Sequence, residues 1–149
     1  MEIVTDDSYE FLKEGRRLKE KFGEITTIKV PCTPEGLKAC KLLSKEGIRV
    51  NVTLIFSAAQ AVLASKAGAA YVSPFVGRVD DNSFDGLRLI EDIANIYETQ
   101  SRLYNFVDTE ILSASIRNVA SVSKSFEYGA GIVTCLLYTS DAADESVSV

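Results

Sequence analysis

No histidine occurs among the 149 residues. That absence removes the Ser-His-Asp triad, the Cys-His pair and any histidine-based metal cluster, so catalysis must run on Lys, Asp, Glu, Tyr or Cys. Cysteine is scarce: Cys32, Cys40 and Cys135 are odd in number and widely spaced. They fit neither a disulfide framework nor a zinc site, which points to a reducing cytoplasm. The chain has no basic cluster and a formal net charge of −5, so nucleic acid is not expected as a partner. Long apolar runs are missing too. The stretch from Val52 to Val72 is broken by Gln60, Ser65 and Lys66, which argues against a membrane span. The opening "MEIVTDDSYE" is acidic and lacks the apolar core of a secretory signal.

What is present is enough for one domain with a real core: 46% of the residues are hydrophobic and 25% charged, as in soluble globular proteins. Short β-branched or alternating runs at 2–5, 26–30, 49–55, 70–73, 110–114 and 131–134 predict strands. Helical patterns fill 8–22, 34–46, 57–67, 86–104 and 119–128, with Pro34 suited to a first turn and Gly47, Gly68 and Gly129 to helix ends. Strictly alternating strands and helices imply a parallel sheet with helical crossovers. A doubly wound sheet usually carries a glycine-rich turn after its first strand, and none is found. The strand ends are instead polar: Lys29, Asn51 with Thr53, Ser73, then Ser113 with Ser115. That pattern suits the C-terminal rim of a (β/α)8 TIM barrel. Such a barrel takes about 250 residues, so six strands imply an open sheet or a partial barrel.

Lys29 interrupts the apolar run Ile28-Lys29-Val30. A lysine there snorkels to solvent, pairs with a carboxylate, or sits desolvated as a nucleophile whose lone pair attacks a carbonyl. Spacing alone favours the first two. In "VNVTLIFS", alternation puts Val50, Val52, Leu54 and Phe56 on one face and Asn51, Thr53 and Ile55 on the other. Asn51 and Thr53 face either a ligand or solvent. "YVSPFVGRVDD" reads as a strand entering a loop, with Ser73 at the strand end and Gly77 as the turn that projects Arg78. Taken singly, Arg78 is expected in a surface ion pair with Asp80 or Asp81. Ser115 and Arg117 repeat the theme in "SASIRN", and two arginines at neighbouring strand ends support a phosphate clamp more than either does singly.

Together, "IKVPCTPEGLKA", "VNVTLIFSAAQA", "YVSPFVGRVDD" and "ILSASIRN" resemble the transaldolase family, in register from about Glu2 to Thr134. The resemblance implies a class I aldolase-type barrel, of which this chain carries about strands 3 to 8. It also implies transfer of a dihydroxyacetone unit between sugar phosphates through a lysine Schiff base, with no cofactor and no metal. Lys29 matches the Schiff-base lysine. Asn51 and Thr53 match the pair that binds substrate hydroxyls and holds the catalytic water, and Glu2 a carboxylate that polarises that water. Ser73 and Phe75 match substrate contacts; Arg78, Ser115 and Arg117 match the phosphate group. Phe75, Asn51 and Glu2 stand on the transaldolase side of the family. Fructose-6-phosphate aldolase and a non-catalytic fragment are the alternatives. The resemblance further implies a cytoplasmic homo-oligomer, with no nucleic-acid or membrane partner.

Residues 1–134 are thus expected to form an incomplete barrel domain. From 135 on, "CLLYTSDAADE" is similar to a translated sequencing-library adapter, so 135–149 is expected to be a foreign tail without function. The family's acid/base aspartate and an asparagine on its first two strands fall upstream of Met1. Since a general acid/base contributes about 10²–10⁴-fold, the chain alone is expected to be nearly inactive. A transfer assay giving rates comparable to a full-length relative would overturn that expectation.

Overall fold

The computed structural model describes residues 7–104 and 108–135. Five strands form one parallel sheet in simple sequence order: β1 (Thr27–Pro31), β2 (Arg49–Ile55), β3 (Tyr71–Pro74), β4 (Glu110–Ile116) and β5 (Ile132–Cys135). The helices are α1 (Ser8–Phe22), α2 (Pro34–Lys45), α3 (Ala58–Lys66), α4 (Val76–Asp81), α5 (Gly86–Tyr104) and α6 (Val119–Glu127). An unreversed order has no topological switch point, which is where a doubly wound sheet would bind its ligand. It is the order of a barrel wall. The strand expected at 2–5, the carboxylate Glu2 and the tail after Cys135 lie outside the described residues.

Local chemistry starts the crossovers close behind the strands. Thr33, Ser57 and Asn118 cap α2, α3 and α6, each side chain accepting a backbone N–H from the first turn. Pro34 occupies the first turn of α2, where its missing N–H costs nothing. Each of these helices then packs on the two strands it connects. Ile28, Val30, Val50, Val52 and Val72 are fully buried in one apolar cluster with Ala39, Leu43, Ala61, Ala64, Ile90 and Ile93 of the helices. Residues of opposite parity (Thr27, Lys29, Asn51, Thr53) belong to the other face of the sheet and line cavities there.

Two expectations are corrected. Residues 76–81 form a short helix rather than a loop, because Val76 and Val79 are buried and α4 packs on β4 and α5. Six residues are too few for a helical period to show in the sequence. Ile55 does not join Asn51 and Thr53. The β2 register shifts between Val52 and Ile55, Leu54 adopts a φ of +60°, and Ile55 is fully buried in the apolar cluster. A bulge adds one residue and inverts the parity beyond it.

No helix among the described residues is long and apolar enough to cross a membrane. Leu43 has no exposed surface, whereas its neighbour Leu42 is 44% exposed. Leu43→Ala is expected to lower the unfolding free energy by about 2–5 kcal/mol and Leu42→Ala by less than about 0.5 kcal/mol. Urea denaturation checks the pair; equal losses would contradict this core.

Candidate active site

Parallel pairing sets Lys29 opposite Asn51 and Pro31 opposite Thr53. On the far side of β2, Asn51 lies opposite Tyr71, two residues before Ser73. With period-two strands, this register gathers Lys29, Asn51, Thr53 and Ser73 on one wall of a cavity of about 550 Å³. Phe75, Arg78, Ser115 and Arg117 line the same cavity. Every expected site residue within the described chain therefore lines a single cavity. Leu112 and Ala114 add apolar wall, and Cys135, expected to carry no function, also lines it.

The polar wall is mostly committed. Ser73 Oγ donates to Asn51 Oδ1 at 2.8 Å, with both side chains nearly fully buried, which fixes the Asn51 amide with its oxygen towards β3. Thr53 is only 2% exposed, and its Oγ1 has no hydrogen-bond partner among the described residues. A buried hydroxyl that the protein leaves unsatisfied, on a cavity wall, is a donor and acceptor for whatever fills that cavity. Two of the thiols are poor nucleophiles: burial pushes Cys40 up to about 12 and raises Cys32 as well. Lys29 contributes an amine to the same wall.

The cavity rim at the end of β4 is built by backbone distortion. The β4 register shifts between Ser113 and Ile116, and Ser115 takes a φ of +60°. Such a conformation costs a non-glycine residue about 1–3 kcal/mol and clusters at functional sites. It places consecutive residues, Ala114 and Ser115, on the cavity. Ser113 turns away. It is fully buried against α6, where Ser125 spends its proton on Ser121 O, so Ser113 donates to Ser125 Oγ at 2.9 Å. Gly77 is not a turn residue as expected. A Cβ there would stand 2.3 Å from Ser115 O and 2.7 Å from Arg117 Nε, so glycine is what lets α4 and the end of β4 meet.

The expected ion pair of Arg78 is also corrected. Its guanidinium lies over the Phe75 ring at 5.2 Å, and Phe75 meets Phe56 edge-on at 6.0 Å. Asp81 instead pairs through both carboxylate oxygens with Arg117, and Asp80 accepts the Gly86 N–H at 2.8 Å. Nothing in the local sequence signals a partner for Asp81 that lies 36 residues on. Among the described residues no group of three or more Cys, Asp or Glu side chains is placed to hold a metal.

Residues 1–148 match the family model described as Transaldolase/Fructose-6-phosphate aldolase. A probable transaldolase of Nitrosopumilus maritimus (strain SCM1) is 50% identical over 134 residues, which cover 90% of this chain and 58% of that one. One from Kosmotoga olearia is 53% identical over 133 residues, 89% of this chain and 58% of that one. The chain thus spans under two thirds of the length of these curated relatives. Among solved structures, a mandelate oxidase carrying an FMN monooxide adduct superposes with a TM-score of 0.66 at 16% identity, over 90% of this chain and 46% of that one. At that identity the likeness is one of fold alone, that of a (β/α)8 barrel.

Ser73→Ala leaves the buried Asn51 oxygen without its donor and is expected to cost about 1–3 kcal/mol of stability. Thr53→Val removes a hydroxyl with no protein partner and is expected to change stability by less than about 1 kcal/mol. Thermal unfolding of the two variants checks the contrast, and a large loss for Thr53→Val would reveal a hidden partner.

Proposed function

The chain belongs to the transaldolase/fructose-6-phosphate aldolase family, and from that premise we propose that the whole protein is a transaldolase working through a Schiff base on Lys29. It would move a dihydroxyacetone unit from sedoheptulose 7-phosphate to glyceraldehyde 3-phosphate, giving erythrose 4-phosphate and fructose 6-phosphate. That is a cytoplasmic step of the pentose phosphate pathway, with sugar phosphates as the partners and a homo-oligomer as the working form. The observation behind this reading is that one cavity is lined by an amine, a set of polar side chains and two arginines.

The chemistry follows from those groups. The neutral Lys29 amine adds to the ketone carbon of the donor sugar and the adduct loses water, leaving an iminium ion. The cation draws in the electron pair released when the bond between the third and fourth carbons breaks. The proton of the fourth-carbon hydroxyl leaves as the aldose phosphate departs, and the three-carbon unit stays on Lys29 as an enamine. Attack of the enamine on the acceptor aldehyde, protonation of the new alkoxide and hydrolysis of the iminium complete the transfer. Asn51, Ser73 and Thr53 would hold the sugar hydroxyls and the water, Phe75 would pack against the sugar, and Arg78, Ser115 and Arg117 would hold the phosphate. Glu2 would polarise the water.

Incubating the chain with fructose 6-phosphate and reducing with borohydride is expected to add mass at Lys29, located by peptide mapping, and Lys29→Met is expected to abolish it. Arg117→Gln is expected to raise the half-saturating concentration of fructose 6-phosphate about tenfold or more and to leave labelling by dihydroxyacetone unchanged. A folded chain that forms no adduct would favour a non-catalytic sugar-phosphate binder.

A further inference from the structure

Asp81 has no part in the chemistry above, yet its carboxylate takes both terminal nitrogens of Arg117. The pair ties the end of α4 to the turn after β4, and both side chains are about half exposed, at 48% and 45%. Two carboxylate oxygens meet a guanidinium fork as two phosphate oxygens do, so a carboxylate and a phosphate claim the same donors. The adjacent Asp80 is not available for such a role, because it accepts the Gly86 N–H where α5 begins. Hydrogen bonding to Arg117, with a smaller contribution from the charge of Arg78, holds the Asp81 carboxyl below the usual carboxylate range, so it remains an anion at neutral pH. A half-exposed pair of this kind is weak. It orients a side chain while remaining easy to break.

We infer that Asp81 is an exchangeable counter-ion of the phosphate site: it holds the Arg117 fork at the cavity rim and yields it to the substrate's phosphate. The exchange has a direction because a phosphate dianion brings two charges where the carboxylate brings one. Asp81 is thus a positioning residue that weakens phosphate binding by competing for the fork. This inference rests on the phosphate role proposed for Arg117.

Calorimetric titration of the chain with inorganic phosphate separates the two ideas. Asp81→Asn is expected to bind phosphate about two- to fivefold more tightly, the size of effect an exposed ion pair carries. Asp81→Glu, which restores the charge, is expected to match the parent within about twofold. Arg117→Gln is expected to bind about tenfold more weakly or worse, and Asp81→Asn added to it is expected to change nothing further. A gain in affinity is an outcome that structural damage does not produce. If Arg117→Gln binds weakly while Asp81→Asn is unchanged or weaker, the counter-ion inference falls and the phosphate site stands. If Arg117→Gln binds as the parent does, or the parent binds no phosphate, both fall.

Discussion

Parallel pairing of β1 with β2 in the register Lys29 to Asn51 is the constraint on which the rest depends. Side chains alternate between faces along a strand, so one register assigns every residue of the pair to the helix side or the cavity side. Ile28, Val30, Val50 and Val52 go under the helices, and their burial holds the layers together. Lys29, Asn51 and Thr53 are then carried to the cavity face without any local preference for it. A slip of one residue would expose the apolar set and bury the amine among the helices, so the hydrophobic core and the chemistry are specified by the same choice.

At the rim the alternation is broken on purpose-sized terms. The bulges at Leu54 and Ser115 each shift the register near a strand's C-terminal end. The first returns Ile55 to the core; the second gives the cavity two consecutive residues of β4. Gly77 permits this by letting α4 run against Ser115 and Arg117 where any side chain would collide. The same close approach brings Asp81 to Arg117. Strain, glycine and ion pair are therefore one construction at the end of β4.

The lack of histidine acquires a physical sense in this setting. The proposed Schiff base needs an amine that can be neutral and a cation that withdraws electrons, and one lysine would supply both in turn. Burial holds the Cys40 thiol, and the half-buried Cys32 thiol, in the protonated form. Polar groups on the wall are divided by their partners. Asn51 and Ser73 satisfy each other and set geometry, whereas Thr53 is left to meet what enters. A wall that was wholly self-satisfied would have no hydrogen bonds to offer a ligand.

Strand and helix order was legible in the sequence because burial on one face imprints a period of two or 3.6 and capping residues mark the helix starts. The polar strand ends were legible as well, since Lys29 and Asn51 interrupt apolar runs. By itself the sequence determined the parallel α/β order, the identity of the polar residues at the strand ends and, through four blocks of motif, the family. Only the tertiary structure decided that Ile55 leaves the polar face, that Ser113 turns to Ser125, that 76–81 is helical and that Asp81 belongs to Arg117 rather than Arg78. Those facts come from bulges and from contacts between residues far apart in the chain. A bulge has no periodic signature, and a pair 36 residues apart is set by how two crossovers pack, which no local pattern encodes.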